Sequence, residues 1–141
     1  MEFDIEAEQT GPMQVKVNTG SFELVIDEKE EMMGDDEGPN PIEYQLAALS
    51  GCLNVVGTFI AKQQGLDIEK KEFNVSGEID PEGFRDGSSG VKPGLKEVNV
   101  DVAVETTEDQ ETVENWLEEV EQRCPVSDSL RSQTEVNVRL D

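Results

Sequence analysis

The chain contains no histidine among its 141 residues. Without an imidazole, the Ser-His-Asp and Cys-His nucleophile arrangements are excluded, and so are zinc sites that use a histidine ligand. A site built from two thiolates and carboxylates is a poor match to structural zinc, so neither a metal nor a cofactor is expected. Aromatics make up only 5% of the sequence, and 11 basic side chains face 33 acidic ones for a net charge of -22. Such a surface repels nucleic acid and anionic membranes, and neither is an expected partner. No charged segment followed by an apolar core opens the chain, and no apolar run reads as long enough to span a bilayer. The expected location is the cytoplasm.

Acid in this excess raises the question of disorder. Periodic apolar patterning along most of the chain argues instead for a folded domain with a solvated acidic coat. The few lysines and the lean towards Val, Ala and Leu resemble the proteins of salt-loving archaea. At molar ionic strength the Debye length falls to about 3 Å, which screens the self-repulsion of such a coat. Folding is therefore expected to be marginal in low salt, and a melting curve that does not move between low salt and molar KCl would exclude this.

The patterning sets the order of elements. Phe3 and Ile5, Val15 and Val17, then Phe22, Leu24 and Ile26 alternate with polar residues. This predicts three short strands, with turns at Gly11-Pro12 and Thr19-Gly20. An acidic loop from about Glu28 to Gly38 follows, with Met32 and Met33 at its centre. Asn40, Pro41 and Glu43 then read as N-cap, first helical residue and capping-box partner. From Ile42 to Gln64 the only charges are Glu43 and Lys62, and Gly65 supplies the stop. So little charge predicts a helix buried nearly all round. Ala47, Ala48, Ser50 and Gly51 thin its middle enough for a second helix to cross there, one from another subunit included. Leu66 to Ile79 and Leu95 to Val104 read as strands on either side of a Gly- and Ser-rich loop. Thr106 to Val120 reads as an amphipathic helix, Pro125 to Arg131 as a shorter one, and Val136 to Leu140 as a last strand. The order βββ-α-ββ-αα-β indicates a single α+β domain over residues 1–141.

Two cysteines carry the chemistry that remains. Cys52 falls within the uncharged helix, and Cys124 immediately precedes Pro125. Free cysteine most often behaves as a small buried hydrophobe. The sharper reading is a redox pair, one sulfur attacking and the other resolving. The two are too far apart in sequence for a CxxC motif, so the fold has to bring their Cα atoms within about 7 Å. On local electrostatics Cys124 reads as the more acidic thiol. The N–H groups of the helix after Pro125 favour a thiolate, and Arg123 and Arg131 are close in sequence.

The run Gly38-Pro39-Asn40-Pro41-Ile42-Glu43-Tyr44-Gln45-Leu46-Ala47-Ala48-Leu49-Ser50-Gly51-Cys52, taken with Arg123-Cys124-Pro125-Val126, resembles the OsmC/Ohr family. The likeness extends over nearly the whole chain. It implies an intertwined homodimer, with two long buried central helices wrapped by antiparallel-rich sheets and the thiols at the subunit interface. It also implies a thiol-dependent reductase of small, usually organic, hydroperoxides. Cys52 would be the attacking thiolate, Cys124 the resolving thiol, and an external dithiol the reductant. Family members hold the thiolate with an arginine from the N-terminal strands and a glutamate near the start of the long helix. This chain has no arginine before Arg85, which leaves Lys16, Arg85 or Arg123 as cations. Glu43 stands one residue later than the family glutamate, whose position Ile42 fills. On a straight helix Glu43 lies about 180° around and roughly 13 Å along from Cys52, which favours a cap over a catalytic group. A module of the same fold that binds a small apolar ligand and has inert thiols is the alternative.

Overall fold

Three strands open the computed structural model, which describes residues 1–140. β1 (Glu6–Gln9), β2 (Val15–Asn18) and β3 (Glu23–Ile26) form an antiparallel meander in which Ala7 faces Val17 and Val17 faces Leu24. Thr19 N–H donates to the Phe22 carbonyl at 2.9 Å, and Gly20 takes φ +87° with its N–H on Asn18 Oδ1 at 2.7 Å. That backbone angle is open to glycine without strain, which is why the turn falls there. The first strand starts later than the alternation of Phe3 and Ile5 suggests. Both side chains are exposed and precede β1, so alternation without a pairing partner did not make a strand.

Within the loop that follows, Glu30–Met32 forms a single 3-10 turn. Asp27, at the exit of β3, is buried and organises the loop. Its carboxylate accepts from the backbone N–H groups of Glu28 (2.8 Å), Asp35 (3.2 Å) and Glu37 (3.2 Å), and from the Gln14 side-chain amide (3.4 Å).

The long helix α1 (Pro41–Gln64) begins with the expected capping box. Asn40 N–H donates to Glu43 Oε2 at 2.8 Å, and Glu43 N–H donates to Asn40 Oδ1 at 2.9 Å. It ends as expected at Gly65 (φ +68°), where Leu66 N–H reaches back to the Ala61 carbonyl at 2.9 Å. The sequence suggested that α1 is buried nearly all round; in the chain alone it is not. Leu49, Leu53, Gly57, Ile60 and Ala61 are buried, whereas Val55 is 66% and Phe59 58% exposed. At Gly51, a Cβ would meet nothing within 4 Å. The helix is also long and apolar enough to cross a membrane by length and composition, which corrects the reading that no run is. Leu49, Leu53, Ile60 and Ala61 on its buried side belong to the apolar cluster of the core.

After α1 come β4 (Ile68–Glu78), a short α2 (Glu82–Arg85) inside the expected loop, β5 (Glu97–Thr106), α3 (Gln110–Arg123) and α4 (Pro125–Arg131). β4 and β5 pair antiparallel over their length, with Phe73 opposite Val102 and Val75 opposite Val100. Phe73, Val75, Val98 and Val100 pack on a cluster made by Leu49, Leu53, Ile60, Trp116 and Val120. α3 starts later than its apolar spacing suggests because β5 runs on to Thr106 and Asp109 caps the helix, accepting from Thr112 N–H at 2.8 Å. The last expected strand is absent: residues 133–140 have no regular structure, and Val136, Val138 and Leu140 are exposed. Backbone contacts group the chain into two compact units, Met1–Gln45 and the remainder from Leu46 onward.

Candidate functional site: a pair of thiols in one apolar cluster

Cys52 and Cys124 meet within the second unit. Cys124 is fully buried in the apolar cluster, and the half-buried Cys52 packs against it; both are free thiols that face one another as neighbours. The approach depends on how α3 docks on α1. Trp116 lies fully buried on Gly57, donating its indole N–H to the Gly57 carbonyl at 3.0 Å. A Cβ at Gly57 would come within 2.8 Å of the Trp116 ring, so the bare backbone is what lets the indole reach the helix. One turn further along α3, Val120 is buried in the same cluster, and the helix then ends at Cys124.

Cys124 ends α3 and caps α4, with Pro125 in the first turn and Ser127 N–H donating to its sulfur at 3.4 Å. The cap matches the sequence reading; the acidity does not. Burial pushes the Cys124 thiol up, the adjoining Cys52 side chain adds to the rise, and the Ser127 N–H works in the opposite direction. A helix terminus contributes only about 0.3–1 kcal/mol, too little to offset complete removal of the sulfur from water. Nor do neighbouring cations help. Arg123 Nη1 donates to Glu119 Oε1 at 2.6 Å and to Gln63 Oε1 at 3.3 Å, and its guanidinium lies over the Phe59 ring at 5.6 Å. Arg131 pairs with Glu121.

The other candidates are occupied locally. Glu43 is engaged in its cap. Lys16 pairs with Glu23 at 3.3 Å on the first sheet, and Arg85 lies over Phe84 at 5.8 Å. Among the described residues no three histidine, cysteine or acidic side chains converge as metal ligands. The Trp116–Gly57 contact was missed in the sequence. Its signal was a lone tryptophan on one helix and a glycine inside another, neither of which names its partner. A cleft of about 400 Å3 borders the same helices, lined by Leu49, Leu53 and Ser127 among others but by neither cysteine.

This arrangement can do one kind of chemistry directly. A sulfur on one element, oxidised by a small molecule, has a second sulfur at hand with which to form a disulfide.

Comparison with known proteins agrees with the architecture. The chain is 20% identical to a hydroperoxide reductase of Mycoplasma genitalium over 139 residues, 99% of this chain and 94% of that protein. Its structure is similar to that of an OsmC-like protein from Mycoplasma pneumoniae, with a TM-score of 0.80 at 20% identity over 93% of this chain and 88% of that one. It is also similar to an organic hydroperoxide resistance protein from Legionella pneumophila, with a TM-score of 0.70 at 17% identity over 93% and 90% of the two chains. These likenesses place the α+β architecture, with its long helix and antiparallel sheets, in the OsmC-like fold. The model of the OsmC-like protein family matches residues 34–139, most of the chain and both cysteines, and the chain belongs to the OsmC family.

Proposed function

We propose that this chain is a two-cysteine hydroperoxide reductase. The observation that carries the reading is the meeting of two free thiols, far apart in sequence, in one apolar cluster. The name of the Mycoplasma genitalium relative supports it. In the proposed cycle the Cys52 thiolate attacks the distal oxygen of a small organic hydroperoxide. An S–O bond forms, the O–O bond breaks, and the departing alkoxide takes a proton to leave as alcohol. Cys124, deprotonated in this step, attacks the sulfur of the Cys52 sulfenic acid; the S–S bond forms and water leaves. An external dithiol then reduces the disulfide by exchange, restoring both thiols and leaving oxidised itself. Cys52 is assigned the attack because it is partly exposed whereas Cys124 is not.

The proposal includes a homodimer. Val55, Phe59 and the open face at Gly51 leave an apolar side of α1 uncovered in the single chain, and Val136, Val138 and Leu140 are unpaired. Surface of this kind is characteristic of a subunit contact.

The test is peroxide consumption driven by a small dithiol in molar KCl. Cys52→Ser is expected to abolish turnover. Cys124→Ser is expected to allow one turnover and then stall as the sulfenic acid over-oxidises. Activity that survives Cys52→Ser removes the nucleophile and with it the mechanism. A second reading, a ligand-binding module with inert thiols, is favoured by the commitment of Arg123 to Glu119 rather than to a sulfur. Thiol titration of the native protein separates the two: one fast thiol supports catalysis, and slow, equal labelling of both supports binding alone.

A further inference from the structure

The cleft of about 400 Å3 that the thiols do not line has a volume typical of small-molecule sites. One part of its wall is aliphatic, with Leu49 and Leu53 from α1, Val98 and Val100 from β5, Leu117 from α3 and Leu130 from α4. The exposed side chains of Lys92, Lys96 and Arg131 also border it. Three of the chain's 11 basic residues thus gather at one opening in a protein with 33 acids. Of the acids that share the opening, Glu121 pairs with Arg131, while Glu97 accepts from the Asn99 amide at 2.5 Å and keeps its charge. Lys96 is held by Asp80 at 3.3 Å and Glu78 at 3.6 Å. Lys92 differs. Its ammonium donates to the Leu95 carbonyl at 3.3 Å, and it has no carboxylate partner among the described residues.

An aliphatic wall with an uncommitted ammonium at the mouth is complementary to a molecule with an apolar tail and one anionic head. The geometry points to a binding site for a carboxylate-headed acyl chain, a medium-chain fatty acid in kind, with its tail along that wall and its carboxylate at Lys92. A chain carrying -22 repels anions as a whole. Molar salt cuts that repulsion off beyond about 3 Å while leaving a direct contact at the mouth in place. The site is independent of the thiols, so it stands or falls apart from the peroxidase cycle.

The experiment is calorimetric titration of the full chain in molar KCl with octanoate, nonanoate and decanoate below their micellar concentrations. Saturable binding to one site per chain is expected, tightening about fourfold for each added methylene. Lys92→Glu, at an exposed position, is expected to leave the circular-dichroism spectrum intact and weaken decanoate binding at least tenfold. Cys52→Ser is expected to bind decanoate as well as the parent. Decyltrimethylammonium, with the same tail and the opposite head, is expected to bind at least tenfold more weakly. The proposal is overturned by the absence of saturable binding, by equal affinity for the cationic analogue, or by an unchanged Lys92→Glu variant. A dimer in light scattering that takes up no decanoate overturns it too, since a second copy then covers the cleft.

Discussion

The region up to Gln45 and the region from Leu46 onward are held by different forces. In the first, Val17 is the only buried hydrophobe among the described residues, and the interior is organised by the polar pair Gln14 and Asp27. In the second, Leu49, Leu53, Ile60, Ala61, Trp116, Val120 and Cys124 form one buried apolar cluster. Hydrogen bonds to a carboxylate are directional and depend on its charge; apolar burial is neither. The thiols therefore reside where shape sets geometry, and the acidic loop resides where charge does. Changes of volume should break the second region, and changes of protonation the first.

The largest effect is expected at Trp116. Replacing it with Ala empties the centre of the cluster and removes the donor to the Gly57 carbonyl. About 3–5 kcal/mol of stability is lost by the usual measure of a large aromatic truncated in a core. Chemical denaturation reads this, and a loss under 1 kcal/mol would mean that the indole does not support the cluster. The next effect runs the other way in volume. Gly57→Ala drives a methyl group to within 2.8 Å of the same ring. Overpacking of this order destabilises by about 1–3 kcal/mol. The same variant should slow disulfide formation after mild peroxide, because α3 carries Cys124 at its end.

Much of both regions was legible in the sequence. The capping box at Asn40 and Glu43, the stop at Gly65, the strand alternation and the cap at Cys124 are local signals, and each is present. What could not be read depended on tertiary partners. The exposure of Val55 and Phe59 was hidden because an uncharged helix has the same composition whether one chain or two cover it. Val136 to Leu140 has strand alternation but no strand to pair with in the chain alone. The acidity of Cys124 was misjudged because adjacency to Arg123 says nothing of direction, and the guanidinium turns to Glu119 and Phe59. Asp27 carried no signal: one acid among 33 does not announce that it is buried.

Titration bears next on one buried carboxylate and one buried thiol. Burial pushes the Asp27 carboxyl up, but the N–H groups of Glu28 and Glu37, the Gln14 amide and the Asp35 N–H outweigh it, leaving the group below its ordinary value of 3.8. A carboxyl lowered on folding adds stability above its unfolded value, and that stability is lost as the pH falls through the folded value. Acid should therefore loosen the loop, seen as faster amide exchange at Glu28, Asp35 and Glu37. Asp27→Asn should give that faster exchange already at neutral pH, and unaltered exchange there would remove the carboxylate as the anchor. Cys124 acts at the opposite end of the scale. Its thiol is raised above the ordinary 9.0 on folding, so its contribution is complete below that value and is lost as the pH climbs through the folded one. Alkylation at neutral pH should accordingly modify Cys52 well before Cys124.

The smallest expected effect bears on the helix that carries Cys52. Glu43 closes the capping box, and Gln can do the same, because either side chain can accept the Asn40 N–H. Glu43→Gln should therefore change stability by no more than a few tenths of a kcal/mol, the scale of a conserved cap. Asn40→Ala, by contrast, removes the reciprocal acceptor and costs about 1 kcal/mol. If Glu43 is a cap and nothing else, the charge-neutral variant also leaves the alkylation rate of Cys52 and the rate of peroxide consumption unchanged. A tenfold fall in peroxide consumption with the melting temperature unmoved would give the carboxylate a part in the chemistry. Glu43 would then have to act on Cys52 from a position that a straight α1 places about 180° around the helix and roughly 13 Å along it.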